Sequence, residues 1–285
     1  MKMIHNIAPH KLDNSFKITP DPSGGLAVLF QESKVLLEIR GEQLCIPSYD
    51  KIAEKYGVAR QQFLCSLDQQ DLFLVELTKV YLDASYDFFP IRSLRRDQRL
   101  SREQRFALMT AWHLYTWYHN NQYCGTCQTP LEHHKTMRAL VCPNCKREIF
   151  PSIAPAVIIG VVDGDRILLS KYAGRPYTGY ALLAGFTEIG ETPEETVARE
   201  VMEEVGLRVK NIRYYKSQPG GIDSNLLLGF FCQLDGSNQI TRDTEELAMA
   251  NWFQREEIPV EDDNYSLTFE MIALFKNHPD LFQTE

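Results

Sequence analysis

Three glutamates in the second half of the chain, Glu200, Glu203 and Glu204, have a spacing that suits a metal site. Residues three and four positions apart share one face of an α-helix, so a helix here would project all three carboxylates together. Like charges at that spacing repel each other, and the negative end of the helix dipole disfavours them further. Hard divalent cations take oxygen ligands and would offset this cost. On the charge pattern alone, a metal site and an ordinary solvated acidic face both remain open.

The residues on either side of these glutamates predict the helix that carries them. Thr192 is a good N-cap residue, and Pro193 suits the first helical position. Glu195 completes a capping box with Thr192, in which each residue bonds the main chain of the other. Gly206 suits the left-handed residue that commonly follows a helix. We therefore expect a helix between Thr192 and Gly206.

Apolar residues inside this predicted helix define its buried face. Val197, Val201 and Val205 repeat every four residues, with Ala198 and Met202 beside them. Apolar side chains at that spacing form a stripe along one side of a helix. We expect this face to pack inward.

Four cysteines form a second constellation with chemistry of its own. Cys124, Cys127, Cys142 and Cys145 have the pattern C-x₂-C-x₁₄-C-x₂-C. Each pair can grip one ion with two thiolates, and two pairs complete the tetrahedral shell of Zn²⁺. Four protein ligands leave no position for water, which predicts one structural zinc per chain rather than a catalytic zinc. A redox motif needs a single C-x₂-C and is the weaker interpretation.

The stretch from Gly185 to Leu207 resembles the Nudix box, G-x₅-E-x₇-R-E-U-x-E-E-x-G-U, in which U is an apolar residue. Every specified position matches; these are Gly185, Glu191, Arg199, Glu200, Val201, Glu203, Glu204, Gly206 and Leu207. In Nudix hydrolases this loop-helix-loop binds divalent cations against a substrate diphosphate. The resemblance therefore implies a Mg²⁺- or Mn²⁺-dependent enzyme in which water attacks one phosphorus of a P–O–P bridge, with no covalent enzyme intermediate.

The resemblance also assigns a role to each polar residue of the box. Glu200 and Glu204 would be metal ligands, and Glu203 would be a third ligand or the base. Arg199 would orient the carboxylates, and Glu191 would help to hold the loop. The predicted catalytic group is thus Glu203, Glu204, Glu200 and Arg199.

Within the Nudix hydrolases, a zinc ribbon directly upstream makes the chain resemble the NADH pyrophosphatase (NAD⁺ diphosphatase) subfamily. Besides the cysteines, the matching stretches are residues 150–156 and Leu183–Phe186. The resemblance implies that Ala184 offers its main-chain carbonyl to a metal and that Phe186 stacks on a base. It also implies that Glu246 is a further metal ligand.

Members of that subfamily hydrolyse NADH or NAD⁺ to NMN(H) and AMP, and some remove NAD caps from RNA. They are dimers with an N-terminal domain of about the length seen here. The resemblance covers roughly residues 100–277. It therefore implies a dinucleotide substrate, a homodimer, and NAD-capped RNA as a further partner.

The segment downstream of the box departs from the subfamily pattern. The subfamily has S-Q-P-W-P-F-P-x-S, whereas this chain has S-Q-P-G-G-I-D-S-N over residues 217–225 and lacks both aromatic side chains. Phe150 replaces a tyrosine, Met137 an acidic residue and Thr268 an alanine. Two lost stacking surfaces would weaken base binding by ~1–3 kcal/mol each. The predicted substrate-binding residues are Phe150, Phe186, Gln218, Pro219, Gly220, Gly221, Ile222, Asp223, Ser224, Asn225 and Thr268.

The order of predicted elements indicates an α/β protein. Strands are predicted over 156–162, 166–172, 181–186, 208–215, 226–234 and 248–252, and a final helix over 267–276. With the resemblance, they predict a Nudix α/β/α sandwich preceded by a four-cysteine zinc ribbon and a small mixed α/β N-terminal domain. The predicted boundaries are 1–97 for the N-terminal domain, 98–122 for a connecting helix, 123–150 for the zinc ribbon and 151–285 for the Nudix hydrolase domain.

The connecting helix is expected to begin after Ser101, which can form a capping box with Gln104. It is expected to end near Asn120. The aromatic residues at helical spacing along it, among them Trp112 and Trp117, are interpreted as packing rather than as a cofactor site.

The composition of the 285 residues is that of a globular protein, with 44% hydrophobic and 24% charged residues. A net charge of −8 argues against wholesale electrostatic binding to nucleic acid. The sequence predicts neither a signal peptide nor a membrane-spanning helix. Seven cysteines, an odd number, favour a reducing compartment over a disulfide framework. We therefore expect a cytoplasmic protein without membrane partners, in which Cys45, Cys65 and Cys232 are small buried side chains.

Three functions remain to be separated. The leading one is an NADH pyrophosphatase-like enzyme, and the second is a Nudix hydrolase for another nucleoside diphosphate, such as ADP-ribose or a dinucleoside polyphosphate. The third is a ligand-sensing or RNA-binding protein that uses the Nudix fold and the zinc ribbon without turnover. Intact Glu203 and Glu204 argue against the third, because a sensor has no chemical need for them. The negative net charge also disfavours general RNA binding.

Overall fold

The chain divides into two compact units. The computed structural model describes residues 3–78, 83–175, 177–259 and 265–282. The N-terminal unit consists of Ile4–Ser152 and the short segment Gly221–Ser224. The C-terminal unit consists of Ile153–Gly220, the described residues from Asn225 onward, and Met3. Apart from Met3, the described residues of the predicted N-terminal domain, connecting helix and zinc ribbon lie in the first of these units.

The N-terminal unit is built mainly from short strands. Its strands are β1 (Leu12–Asp13), β2 (Leu26–Val28), β3 (Phe30–Gln31), β4 (Lys34–Arg40), β5 (Gln43–Cys45), β6 (Val58–Leu67), β7 (Gln70–Leu77), β8 (Tyr86–Pro90), β9 (Glu132–His133), β10 (Leu140–Val141) and β11 (Glu148–Ile149). Its helices are α1 (Tyr49–Tyr56), α2 (Ile91–Leu94) and α3 (Arg102–Asn120). The mixed α/β character expected from the sequence is confirmed.

These strands form three small sheets. One has the order β1-β6-β7-β2, and in another β4 pairs with β3, β5 and β8. The third has the order β11-β10-β9 and lies in the cysteine segment. Each of the first two sheets contributes to an apolar core, and α3 packs against one of these cores.

Helix α3 begins and ends where the sequence predicts. The Ser101 hydroxyl accepts a hydrogen bond from the Gln104 main-chain N–H, and the last helical residue is Asn120. Trp117 is buried and Trp112 packs against the core of the N-terminal unit, so the aromatic residues of this helix serve packing. None of the helices in the described ranges combines the length and the apolar character that crossing a membrane requires.

The C-terminal unit is a sheet with a long helix on each face. Its strands are β12 (Ala154–Asp163), β13 (Arg166–Tyr172), β14 (Leu183–Phe186), β15 (Val209–Gly220), β16 (Asn225–Leu234) and β17 (Leu247–Gln254). Its helices are α4 (Pro193–Val205) and α5 (Leu267–Asn277), with 3₁₀ turns at Arg255–Glu257 and Pro279–Phe282. The sheet order is β15-β16-β12-β13-β17, and β14 also pairs with β12. Strands β12 and β16 are parallel and the other pairs are antiparallel.

Alternation along β12 explains the three layers. Successive side chains of a strand point to opposite faces of its sheet. Val157, Ile159 and Val161 pack with the valines of α4, whereas Ile158 and Val162 pack with the apolar face of α5. The predicted α/β/α sandwich is confirmed for this unit.

Several strand limits differ from the predicted ones by one or two residues, and the end of β15 differs most. Strand β15 continues to Gly220, so residues 217–220 lie in a strand rather than a loop, and the turn before β16 is Gly221–Ser224. Strand β14 begins at Leu183, because Ala181 makes only an isolated bridge to Ser170. These limits depend on pairing with β16 and β12, which are distant in the chain. Local residue preferences therefore do not predict them.

The three isolated cysteines follow the expected behaviour in two cases. Cys65 and Cys232 are fully buried, and burial raises the pKa of each thiol to about 12. Cys45 is half-buried at the end of β5. Cys65 and Cys232 therefore act as small apolar side chains.

Candidate active site and zinc centre

Local interactions at its two ends fix the limits of helix α4. The Thr192 hydroxyl accepts from the Glu195 N–H at 3.2 Å, and the Glu195 carboxylate accepts from the Thr192 N–H at 2.8 Å. Pro193 occupies the first turn, and Gly206 ends the helix with a left-handed φ of 68°. These local interactions confirm the predicted helix limits.

One face of α4 anchors the helix to the sheet. Val197, Val201 and Val205 are completely buried, and each contributes about 1.5–3 kcal/mol through burial. Ala198 and Met202, which were expected beside them, are exposed. That expectation was wrong because the face of α4 that contacts the sheet is narrower than the row of apolar residues in the sequence.

Arg199 is the centre of the polar network on α4. Its Nε donates to Glu191 Oε1 at 2.6 Å, and Nη1 donates to Glu200 Oε1 at 2.8 Å and Glu203 Oε2 at 2.9 Å. Its Nη2 donates to Glu191 Oε2 and to the Phe186 carbonyl, both at 3.0 Å. A guanidinium has five N–H donors, and all five are engaged here. Arg199 therefore holds carboxylates and has no free donor for a ligand.

Glu191 ties the loop before α4 to this network. Besides its bonds from Arg199, its carboxylate accepts from the Thr196 hydroxyl at 3.0 Å and the Glu188 N–H at 3.1 Å. These bonds, chiefly those from Arg199, lower the pKa of Glu191 to about 2. Glu191 therefore stays charged and holds the loop in place.

Glu200 packs directly against the main chain of β14. A Cβ on Gly185 would lie 1.9 Å from the carboxyl carbon of Glu200, so only glycine leaves room for this carboxylate. Burial raises the pKa of Glu200, and the Arg199 guanidinium opposes that rise. The glycine of the box thus makes the close approach of helix and strand possible.

Glu204 is a buried carboxylate of α4. It is 2% exposed, and neither carboxylate oxygen has a hydrogen-bond partner among the described residues. Burial, together with the charges of Glu200 and Glu246, raises its pKa to about 8. The Ala184 N–H, which faces the carboxylate without reaching hydrogen-bond geometry, and the Arg175 guanidinium oppose that rise. A buried carboxylate without a partner is costly, and a hard cation would satisfy it.

The other predicted ligands surround Glu204 less tightly. Glu203 is exposed and paired with Arg199, Ala184 lies in β14, and Glu246 is exposed just before β17. Glu246 is close enough to raise the pKa of both Glu200 and Glu204. Within the ranges that the structure describes, the only set of three or more His, Cys, Asp or Glu with all ligand atoms inside 4.8 Å is the four-cysteine set. The glutamates thus gather in one region but do not converge that closely.

The four cysteines do converge. The Sγ atoms of Cys124 and Cys145 are 3.6 Å apart, and those of Cys127 and Cys142 are 3.5 Å apart. A tetrahedral shell with Zn–S bonds of about 2.3 Å places sulfurs about 3.8 Å apart. A hydrogen bond from the Thr129 hydroxyl, with a main-chain bond from Thr129, lowers the pKa of Cys127 to about 6. This set of thiols fits a zinc ion.

Each cysteine pair lies in its own tight turn, and the two turns are of the same kind. The Gln128 N–H bonds to the Cys124 carbonyl, and the Lys146 N–H bonds to the Cys142 carbonyl. Gln128 and Lys146 both have positive φ, near 60°. Such turns aim both thiols of a pair at one point, which the spacing C-x₂-C predicts.

A comparison with protein families identifies the C-terminal unit. Residues 152–275 match the NUDIX domain, a span that contains β14, α4 and all of the glutamates described above. This chain carries a NUDIX domain.

Proteins similar to this chain are found among curated proteins and among solved structures. The NAD-capped RNA hydrolase NudC of Salmonella heidelberg (strain SL476) is 40% identical over 143 residues, which are 50% of this chain and 55% of that protein. NudC of Salmonella paratyphi B (strain ATCC BAA-1250 / SPB7) matches with the same identity and coverage. The chain thus spans about half the length of these curated relatives. A crystallised NUDIX hydrolase from Nitrosomonas europaea is 25% identical, with 55% of this chain and 92% of that chain covered and a TM-score of 0.47.

Two predicted base-binding rings are accessible. Phe186, at the end of β14 in the NUDIX domain, is 53% exposed, and Phe150, just before the domain, is also 53% exposed. Thr268 is half-buried in the first turn of α5. Large apolar side chains that are this exposed are available to stack on a ligand.

Gln218, by contrast, is already engaged inside the NUDIX domain. It is 3% exposed, its Nε2 donates to the Tyr265 carbonyl at 2.9 Å, and its Oε1 accepts from the Leu267 N–H at 2.8 Å. These bonds fasten β15 to the start of α5. Gln218 would reach a substrate only by giving them up.

The turn after β15 is the most altered part of the predicted binding segment. Pro219 and Gly220 end β15, and Asn225 begins β16. The turn itself packs within the N-terminal unit, where Ile222 contacts the apolar core, and Asp223 pairs with Arg92 at 2.6 Å. Gly221 lies close to the main chain of α3, since a Cβ on it would lie 2.3 Å from the Met109 carbonyl oxygen, and Ser224 has a φ of 55°.

Two residues near the carboxylates were not predicted from the sequence. Tyr172, at the end of β13, packs into the α4 core, and burial and the charge of Glu204 raise its pKa to about 12. The Arg175 guanidinium carbon lies 4.1 Å from the centre of the Tyr172 ring. No motif marks either residue, because their position depends on the pairing of β13 with β17.

Proposed function

We propose that this protein hydrolyses the diphosphate of NADH or NAD⁺ to NMN(H) and AMP, with Mg²⁺ or Mn²⁺ as its cofactor. The observation that carries the proposal is Glu204, a buried carboxylate without a partner in the described part of the chain, next to Glu200 in a NUDIX domain. Relatives at 40% identity are named NAD-capped RNA hydrolases, which supports an NAD-containing substrate. NAD-capped RNA is accordingly a second proposed substrate.

The metal ligands would come from three elements. Glu200 and Glu204 belong to α4, the Ala184 carbonyl belongs to β14, and Glu246 precedes β17. Such oxygen donors suit Mg²⁺ and Mn²⁺. When bound, the cation neutralises charge on the diphosphate and lowers the pKa of the attacking water.

Glu203 is the candidate base or third metal ligand. Its Oε2 accepts from Arg199, which leaves Oε1 available to take the proton of the water. Because Glu203 is 58% exposed at the side chain, it can exchange that proton with solvent. Arg199 positions Glu203 and Glu200 together and keeps their carboxylates from moving apart.

The remaining assignments of our proposal concern recognition and assembly. Phe186 and Phe150 would stack on bases, and residues 218–225 and Thr268 are also proposed to bind the substrate. The four cysteines would hold one structural Zn²⁺ per chain. We also propose that the protein is a cytoplasmic homodimer. Its domains are proposed to have the limits inferred from the sequence.

The proposal is tested by a hydrolysis panel on the full chain. NADH, NAD⁺, ADP-ribose, diadenosine polyphosphates and 5′-NAD-RNA are each incubated with Mg²⁺ or Mn²⁺, and the products are identified by mass. We expect AMP and NMN(H) from NADH and NAD⁺. Reaction in ¹⁸O-water should place the label on one phosphate product only, because water attacks a single phosphorus.

The outcomes of the panel are distinct. Turnover of ADP-ribose or a diadenosine polyphosphate with NAD(H) untouched would replace the substrate but keep the reaction. No turnover of any compound by the wild-type chain would reject the enzymatic proposal. A binding or sensing protein would then be the better account.

Gly185→Ala should impair hydrolysis while leaving the fold intact. The new Cβ would displace the Glu200 carboxylate, whose flexible end can move aside. Disturbing the support of a metal ligand typically costs roughly 10–100-fold in affinity or activity, and we expect a loss of that size in kcat/KM. Steady-state kinetics and thermal unfolding check it, with Gly125→Ala, where the Cβ meets open space, as the control. An unchanged kcat/KM would contradict the placement of Glu200.

A further inference from the structure

Arg175 is an exposed cation at the edge of the carboxylate site. It lies after β13, three residues beyond Tyr172, and its charge reaches Glu204, whose ionised form it favours. Within the ranges that the structure describes, no hydrogen bond or ion pair of Arg175 is formed with any of the nearby carboxylates. A guanidinium so close to acidic groups, yet unpaired with them, is available for another anion.

The position of Arg175 is restrained by stacking. Its guanidinium carbon lies 4.1 Å from the centre of the Tyr172 ring, a cation–π contact. The Tyr172 ring is itself held, because β13 pairs with β17 at Tyr172 and Leu247 and the ring packs into the α4 core. The hydrogen bond of the Ala173 N–H to the Glu246 carbonyl fixes the main chain between Tyr172 and Arg175. Arg175 is thus oriented without spending its N–H donors.

Arg199 cannot provide a cation for the substrate. All five of its N–H groups are bonded to three glutamates and to the Phe186 carbonyl. Arg175, by contrast, is a cation whose charge acts on Glu204. Guanidinium groups bind phosphate oxygens through paired, charge-assisted hydrogen bonds.

We propose that Arg175 binds a phosphate of the substrate diphosphate. This inference rests on the proposed hydrolysis of a nucleoside-diphosphate compound and adds a residue that the Nudix box does not contain. The stack on Tyr172 orders the guanidinium before the substrate arrives, which lowers the entropy lost on binding. Arg175 would contact the phosphate oxygens of the ligand, and not its base or its sugar.

The first test measures binding without turnover. Calorimetry with Mg²⁺ compares the α,β-methylene analogue of ADP with adenosine, which lacks phosphate, on wild type, Arg175→Ala and Arg175→Lys. A charged hydrogen bond of this kind corresponds to roughly 10–100-fold in affinity, so Arg175→Ala should lose that much for the analogue and nothing for adenosine. Arg175→Lys should fall between, because lysine keeps the charge but not the planar fork.

Two controls separate this role from charge and from packing. Arg213→Ala removes the same charge from the exposed side of β15 and should leave the binding of both ligands unchanged. Tyr172→Phe keeps the ring under Arg175 and removes only the hydroxyl, so it should bind the analogue like wild type. Loss of analogue binding by Arg213→Ala to the same degree would show a general charge effect and overturn the proposal.

The kinetic test uses the same variants on the substrate that the wild type turns over. Arg175→Ala should lower kcat/KM roughly 10–100-fold, with thermal unfolding unchanged because the side chain is exposed. Analogue binding within twofold of wild type in Arg175→Ala, or an equal loss for adenosine, would overturn the role of Arg175. A wild type that hydrolyses nothing would reject the proposed function instead, and the analogue arm would still decide on Arg175.

Discussion

Glu204→Gln is expected to abolish hydrolysis and, at neutral pH, to stabilise the metal-free protein. The loss of activity follows from removing a buried metal ligand, and we expect kcat/KM to fall by on the order of 10³-fold or more, since metal catalysis supplies several kcal/mol. The gain in stability follows because the Glu204 carboxylate has no hydrogen-bond partner among the residues that the structure describes. A neutral amide is cheaper to bury than an unpaired charge.

The pH dependence of this gain has a definite sign. Folding raises the pKa of Glu204 from an ordinary value to about 8, so the folded protein holds a proton that the unfolded chain has lost. The wild type therefore loses stability as the pH rises from about 4.5 to about 8, and nothing is lost below that window. We expect Glu204→Gln to raise the free energy of unfolding by about 2–4 kcal/mol at pH 8 and by little at pH 4.5.

Denaturant unfolding at several pH values, with metals removed by chelation, measures this effect. Glu203→Gln is the matched control: it changes the same charge on the same helix, but Glu203 is exposed and paired with Arg199. It should show no gain at pH 8. Equal stability of Glu204→Gln and wild type across the window, or full hydrolysis by the variant, would contradict the assignment of Glu204.

Removal of zinc is expected to unfold the cysteine segment. Structural zinc sites contribute apparent binding energies of about 10–16 kcal/mol to the fold that they hold together, and the three-stranded sheet around these cysteines has strands of only two residues. Such a sheet has little apolar core of its own. Protein purified without added metal should contain about one zinc per chain, as measured by elemental analysis.

Cys142→Ser is the sharpest variant for this prediction. The Cys142 thiol is completely buried among the four, so its loss should remove most of the zinc and expose the main chain of β9–β11 to hydrogen exchange. Cys65→Ala, a buried thiol outside the cluster, should keep the full zinc content. Zinc-free wild type, or full zinc in Cys142→Ser, would overturn the site.

The elements that sequence analysis predicted best are those whose limits are local. Helix α4 begins at a capping box that joins Thr192 to Glu195, and it ends at Gly206, so its signals lie within a few residues of each limit. The cysteine pairs are equally local, because each turn needs only one spacing. Strand limits were predicted less well, as at Gly220 and Leu183, since they depend on a partner strand far along the chain.

The binding segment shows the same limit at the level of single side chains. The sequence assigned Gln218 to the substrate, but its amide bonds to Tyr265 and Leu267, almost 50 residues away. No local pattern reports such a bond. The role of Gln218 in substrate binding therefore stays a prediction, and the calorimetric ligands proposed for Arg175 would also test it.

By itself, the sequence determined that three glutamates share one face of a capped helix and that four thiols can hold one ion. Both follow from helix periodicity and turn spacing, which involve neighbours in the chain. Only the tertiary structure decided that Glu204 lies buried with no hydrogen-bond partner in the described part of the chain, that Arg199 has no free donor, and that Arg175 stacks on Tyr172. Each of these depends on where the sheet brings β13, β14 and α4 together, because burial and charge are properties of the packed molecule.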